Sequence, residues 1–293
     1  VRKHEHTARG RECEQAMIRR RLELIRQTIK HRSFRGSPWV WAANVFCPPW
    51  RWLAEQKIIS IRECSALGIV RVMIRGASHA LYVPSSHDIE MLRQIIVEQC
   101  YWWHWHGYEL PETRIGFGDV VFDCGAAEGL FTLLHHTRAT HTYAIEPLPA
   151  YQSALEKTFQ GRSDVTVLPC ALSDFVGTGR LFNRGISSAL SDGQEGAEVC
   201  VDTIDHVCET LHVHPTFIKA DVEGSEQALL RGAATTIRRY GPRLAVTCYH
   251  ETNDCSEMVS FLTSLVPDYK FSLVGYELPD GKPIMLHAWK TES

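Results

Sequence analysis

No two cysteines of this chain stand in a C-x-x-C pair. The ten cysteines are scattered from Cys13 to Cys255, several of them inside apolar runs, as Cys124 and Cys248 are. That pattern excludes a zinc site or a disulfide framework and reads as buried reduced thiols, hence a reducing, cytoplasmic setting. No run reaches the ~18 apolar residues that a membrane span requires. The first stretch is polar and basic and lacks the apolar segment of a signal peptide. Neither sign of charge dominates: 31 Lys and Arg stand against 34 Asp and Glu, a net charge of −3, so nothing global draws the chain to nucleic acid. The early basic residues Arg2, Lys3, Arg9, Arg11, Arg19, Arg20 and Arg21 read as a solvated helix face. Internal repeats and low-complexity tracts are absent too. What is present, 44% hydrophobic and 22% charged residues in 293, describes an ordinary globular chain. It has room for one large domain with an extension, or for two small domains.

The stretch Asp119–Gly129, D-V-V-F-D-C-G-A-A-E-G, organises the rest. Val120, Val121 and Phe122 read as a buried strand, and Asp123 as its end. Gly125 and Gly129 bracket a tight turn, and Leu130, Phe131, Leu133 and Leu134 follow at helical spacing. A strand running through a glycine turn into a helix N-terminus is how α/β folds hold a nucleotide-like cofactor. Downstream, the pattern predicts a helix over 128–137, a strand over 142–146, a helix over 149–160 and a strand over 165–168. Strands over 216–221 and 244–249 come later, each followed by a helix, at 225–239 and 255–265. Such alternation predicts right-handed βαβ units and a mainly parallel, doubly wound sheet. The segments 270–276 and 283–289 have no helix between them and predict a C-terminal antiparallel hairpin. The glycine-rich segment 174–203 predicts an extra hairpin at the sheet's edge or over its rim.

Upstream, residues 11 to about 31 predict an amphipathic helix. Trp39, Trp41, Phe46, Trp50 and Trp52 surround Pro48-Pro49. They read as a loop and short helix packed onto the main domain by aromatic anchors. The segments 69–74 and 80–83 predict a hairpin, and Ser85-Ser86-His87-Asp88 offers N-caps for a helix over 88–100. The densest aromatic patch, 101–106, comes next, and its Trp103 and His104 are candidates for a wall of the substrate pocket.

The turn narrows the choice of cofactor. A dinucleotide site needs three glycines, G-x-G-x-x-G, so that pyrophosphate can approach the backbone. Here only Gly125 and Gly129 are present, and Glu128 near the helix start repels a pyrophosphate while suiting a ligand that carries an amino group. S-adenosylmethionine is such a ligand: it has an ammonium, a carboxylate and a sulfonium, and no phosphate. Glu146, at the end of the neighbouring strand and roughly 20 residues after Asp123, is placed to accept hydrogen bonds from ribose hydroxyls. That requirement is common to NAD and S-adenosylmethionine. The segment Cys170-Ala171-Leu172-Ser173-Asp174 follows the third strand, where an adenine edge would meet backbone amides.

Taken together, D-V-V-F-D-C-G-A-A-E-G, A-I-E-P, A-L-S-D, Ser187-Ser188, V-D-T-I-D and F-I-K-A-D-V-E-G-S-E resemble the FkbM-type family of S-adenosylmethionine-dependent methyltransferases. The resemblance runs from about Ile69 to the C-terminus and leaves residues 1 to about 60 outside. It implies a Rossmann-like class I methyltransferase that acts on a hydroxyl of a sugar, glycan, polyketide or other natural product. The expected division is an N-terminal helical, aromatic-rich extension over 1–68, a hairpin and helix lead-in over 69–118, and the S-adenosylmethionine-binding domain over 119–293. The family's turn usually reads G-A-N-x-G, and Ala127 departs from that Asn.

Candidate cofactor contacts are Asp123, Gly125, Ala126, Ala127, Glu128, Gly129, Glu146, Pro147, Ala171, Leu172 and Asp221. Asp221 and His250, at the ends of two later strands, are the catalytic candidates, with His250 read as the base that takes the hydroxyl's proton. Glu223 and His250, with Trp103 and His104, are the candidate substrate contacts. Lys219 is expected to pair with Asp202 or Asp205. No metal site is assigned: Asp221 with Glu251 or Asp254 would suit a divalent cation, but the spacing fixes no ligand set. Two rivals belong to other classes. A non-catalytic scaffold would not need Glu146, Asp221 and His250, and an NAD-dependent enzyme is opposed by the missing third glycine and by Glu128.

Overall fold

The computed structural model describes residues 18–29, 37–64, 68–181, 190–191, 196–250 and 252–291. Ser187-Ser188 and Glu251 lie outside the described residues. The described residues open with three helices, α1 (residues 18–29), α2 (Pro38–Val45) and α3 (Trp50–Lys57). Leu24 of α1 is buried, and the Gln27 amide reaches across to the Pro279 carbonyl at 2.7 Å. Trp41 holds α2 to α1 by donating from Nε1 to Thr28 Oγ1 at 2.8 Å. The other expected anchors do not anchor: Trp39, Phe46 and Trp52 are exposed, and Trp50 is covered only in part. Two residues apart on a helix is about 200°, so Trp39 and Trp41 cannot both face inward.

Strands β1 (Ile58–Cys64), β2 (Ile69–Ile74) and β3 (Leu81–Pro84) form a small antiparallel sheet. The β2–β3 hairpin is the expected one. Strand β1 was not expected. It is only half buried, and its pairing with β2 crosses the expected boundary at 68/69. Helix α4 (Ile89–Cys100) is capped by Asp88, whose carboxylate accepts from the Glu90 amide at 2.8 Å.

The main unit follows as β4 (Val120–Cys124), α5 (Leu130–His135), β5 (His141–Ile145), α6 (Pro149–Thr158) and β6 (Val165–Leu168). The short strands β7 (Ala171–Leu172), β8 (Gly177–Leu181), β9 (Leu190–Ser191) and β10 (Ala197–Asp202) form a separate sheet in the order β7-β10-β8-β9. Its β8–β10 pair is the hairpin expected in 174–203. Helix α7 (Ile204–Leu211), strand β11 (Phe217–Ala220), helices α8 (Glu226–Arg231) and α9 (Ala234–Tyr240), strand β12 (Arg243–Thr247), helix α10 (Cys255–Leu265) and strands β13 (Tyr269–Val274) and β14 (Met285–Lys290) complete the chain.

Seven strands make the central sheet, in the order β13-β14-β12-β11-β4-β5-β6. It is parallel from β12 to β6, and β14 is antiparallel to both of its neighbours. The chain is thus an α/β fold with the expected C-terminal hairpin, whose second strand slots inside the first. Strands β4 and β11 are buried on both faces, as the middle of a doubly covered sheet must be. Phe122 and Cys124 pack into one apolar cluster, and Val121 into the cluster on the other side.

The helix expected over 225–239 is two helices. Gly232 lies so close to the Ser173 backbone that a Cβ would sit 2.0 Å from its carbonyl oxygen. Asp205 then caps α9, accepting from the amides of Thr235 at 2.9 Å and Thr236 at 2.7 Å. Among the described residues, no helix is long and apolar enough to cross a membrane.

Candidate active site

From β4 the chain moves outward to β5 and β6, then returns to add β11 and β12 on the opposite side. Beyond the carboxyl ends of the strands flanking such a reversal, the connecting loops part and leave a crevice. Here it is a cavity of about 340 Å³, the size of a small-ligand site.

The turn after β4 forms one end of this cavity. Gly125 is left-handed at φ +74°, and a Cβ there would lie 1.9 Å from the Asp221 carbonyl oxygen, so only glycine lets the turn pack against the end of β11. Ala127 is also left-handed, at φ 46°, a region that suits glycine or asparagine far better than alanine. Its amide donates to Glu146 Oε2 at 2.9 Å, while Glu146 Oε1 accepts from the Leu148 amide at 2.9 Å. Burial pushes the Glu146 carboxyl up to about 7, against the pull of those two amides. Burial likewise pushes the neighbouring Glu128 up to about 7. Two buried acids on this wall favour a ligand that brings hydrogen-bond donors or positive charge, and they oppose a pyrophosphate.

Lys219 braces the turn from below. Strands β4 and β11 pair with Lys219 opposite Asp123. Its Nζ lies 3.0 Å from Asp123 Oδ1 and donates to the Gly125 carbonyl at 2.5 Å. Burial disfavours the ammonium, but Asp123 and Asp221 outweigh burial and hold its pKa above the usual lysine value. The expected partners are engaged elsewhere. Asp202 accepts from the Thr203 amide and contacts His206, and Asp205 caps α9.

Asp221, Glu223 and His250 also line the cavity, and the Asp221 backbone touches the glycine turn. Asp221 Oδ2 accepts from the Tyr108 hydroxyl at 2.6 Å, and Oδ1 accepts from Thr247 Oγ1 at 3.2 Å. Burial opposes ionisation of Asp221, yet Lys219 and His250 beside it keep its carboxyl below the usual range. His250 Nε2 lies 3.3 Å from Glu223 Oε2, and Nδ1 lies 3.0 Å from Glu226 Oε1. These are ion-pair distances, although neither ring N–H is aligned on its carboxylate. Burial disfavours the charged ring, but Glu223 and Glu226 push its pKa up to about 10. In this state His250 is an imidazolium, a donor rather than the proton acceptor suggested by its position. Glu226 is itself fully buried and accepts from the amides of Val222 at 2.9 Å and Gly224 at 3.0 Å, so it locks the turn that carries Glu223.

A model of the methyltransferase FkbM domain matches residues 123–273, just over half of the chain. The chain belongs to the FkbM methyltransferase family. That family consists of S-adenosylmethionine-dependent methyltransferases. Among solved structures, the chain is similar to a methyltransferase FkbM from Methylobacillus flagellatus KT, with 22% identity over 69% of this chain and 56% of that one and a TM-score of 0.46. It thus spans little more than half the length of that protein. It is also similar to SMU.1697c from Streptococcus mutans in complex with SAH, at 13% identity, 60% and 91% coverage and a TM-score of 0.39. A third similar structure is Aeropyrum pernix fibrillarin with natively bound S-adenosyl-L-methionine, at 14% identity, 79% and 99% coverage and a TM-score of 0.40. No curated protein matches this chain.

Of the candidate cofactor contacts read from the FkbM motifs, Gly125, Ala126, Ala127, Glu128, Glu146, Pro147, Ala171, Leu172 and Asp221 line the cavity. Asp123 and Gly129 do not. Asp123 is sealed beneath the turn by Lys219 and Thr132, and Gly129 packs against Leu155 of α6. Glu223 and His250 line the cavity as well. Trp103 and His104 lie off it: Trp103 packs with Leu53 and Val97. The cavity instead takes His106 from the end of that patch and Tyr108 from just past it. Sequence reasoning also missed the α4 face of Met91, Gln94, Ile95, Glu98 and Gln99, whose i, i+3/i+4, i+7/i+8 spacing was the available signal.

Proposed function

We propose that this protein transfers a methyl group from S-adenosylmethionine to a hydroxyl of a sugar, glycan, polyketide or other natural product. The observation that carries the reading is one cavity at the strand-order reversal, lined by Glu146 and the glycine turn together with Asp221, Glu223 and His250. When bound, S-adenosylmethionine supplies an electrophilic methyl group on a sulfonium that departs as a neutral thioether. Glu146 accepts the ribose hydroxyls, Glu128 faces the amino group, and Ala171 and Leu172 border the adenine. Asp221, Glu223 and His250 hold the acceptor oxygen, and placing that oxygen in line within a dry pocket supplies much of the rate.

Support for a polyhydroxylated acceptor comes from the rest of the cavity lining. His106, Tyr108, Tyr249, Glu98 and Glu277 give it both aromatic faces and hydrogen-bonding groups. On this reading, residues 119–293 form the donor-binding domain, and the lead-in over 69–118 closes the acceptor side through α4, His106 and Tyr108. The test is transfer of labelled methyl to a panel of hydroxyl and amine acceptors. Alkali-stable label on hydroxyl compounds is expected, whereas label confined to amines would replace the oxygen acceptor by nitrogen.

A further inference from the structure

We propose that Asp221, Glu223 and His250 form a binding site for one divalent cation at the acceptor end of the cavity. One ligand atom from each residue lies within 4.8 Å of the other two, and among the described residues no other three His, Cys, Asp or Glu side chains gather in this way. His250 Nε2 and Glu223 Oε2 are 3.3 Å apart. Two ligands at right angles around a cation with bonds of about 2.1–2.3 Å stand about 3.0–3.3 Å apart. Each Asp221 oxygen accepts one hydrogen bond, from Tyr108 or from Thr247, and keeps a lone pair free.

The imidazole supplies an independent observation. Both of its ring nitrogens are buried without an aligned hydrogen-bond partner. Nδ1 is backed at 3.0 Å by Glu226, while Nε2 points to Glu223. A carboxylate behind one ring nitrogen, leaving the other for the ion, is how metal-bound histidines are held, and the ion takes the place of the Nε2 proton that the cation-free ring carries, which is released to solvent. Glu226 is fixed in that role by Val222, Gly224 and Asn253, each of which donates to it. The donor set of two carboxylates and one imidazole, with room in the cavity for water or a hydroxyl, suits a first-row divalent cation such as Mn²⁺.

The consequence for chemistry rests on the methyl-transfer reading. A hydroxyl bound to the cation loses its proton to solvent more readily, so its oxygen meets the methyl group as an alkoxide.

Manganese is the probe. Titration of Mn²⁺ into the full chain, read by loss of the free-ion EPR signal, is expected to show one saturable site. Glu223→Gln and His250→Asn are each expected to weaken it by about 10²-fold or more. S-adenosylhomocysteine binding, measured by calorimetry on the same samples, is expected to stay within a few fold in both variants, which also shows that they are folded. Absence of saturable Mn²⁺ binding, or undiminished binding in both variants, overturns the cation site. Failure of S-adenosylhomocysteine to bind the wild type overturns the donor reading, and the manganese titration decides the cation site separately.

Discussion

Glu146 ends β5 with each carboxylate oxygen already bonded to a main-chain amide, and it is almost wholly buried. Burial nevertheless raises its carboxyl to about 7, so its charge state changes within the physiological range. On the proposed reading, ribose hydroxyls need the ionised form as acceptor. Affinity for S-adenosylhomocysteine is therefore expected to rise up to about tenfold from pH 6 to pH 8, by calorimetry. A flat or falling profile would remove Glu146 from the donor site. Stability runs the other way. The pKa values of Glu128 and Glu146 are raised in the folded chain, from 4.5 to about 7. The stability they contribute is present below about pH 4.5 and is lost as pH rises through about 7.

The sequence made Glu146 legible because its position needs only a strand end and a distance from the turn. It misread Asp123 and Lys219, because their pairing depends on β4 and β11 being neighbours in register, and no local spacing records which strands of a parallel sheet lie side by side.

Among the elements, the turn between β4 and α5 was the most readable, since glycine is needed where the backbone goes left-handed or meets another chain segment closely. Ala127 is the exception. It occupies a left-handed position without the freedom of glycine or the local hydrogen bonding of asparagine. Ala127→Asn is accordingly expected to stabilise the protein by roughly 0.5–1 kcal/mol in denaturant unfolding. A less stable variant would mean that the Ala127 methyl group makes packing contacts worth more than the strain. The break between α8 and α9 was illegible for the opposite reason. Helical periodicity continues across Gly232, and only the approach of the Ser173 backbone and the Asp205 cap shows why the helix stops. In the 101–106 patch the aromatic density was visible, but the residues that turn toward the cavity, His106 and Tyr108, were not. Tyr101 and Trp103 instead pack against the α3 and α4 cluster.

For the whole molecule, the doubly wound order followed from alternating strands and helices. The insertion of β14 between β12 and β13 did not, because a hairpin pattern is the same whichever strand lies outside. The two ends of the cavity differ in how they can be read. The donor end is built from the segment that the FkbM model covers, and its motifs are local. The acceptor side takes Asp221, Glu223 and His250 from the same segment but draws Glu98, His106, Tyr108 and Glu277 from outside residues 123–273, so family motifs record it only in part. The donor seat carries the functional assignment. The direct test is calorimetric titration of S-adenosylhomocysteine into the wild type and into Glu146→Ala. The expected result is one-to-one binding that weakens about 10- to 100-fold in the variant, the cost of losing hydrogen bonds to a buried carboxylate. No binding by the wild type, or equal affinity in the two proteins, would contradict it.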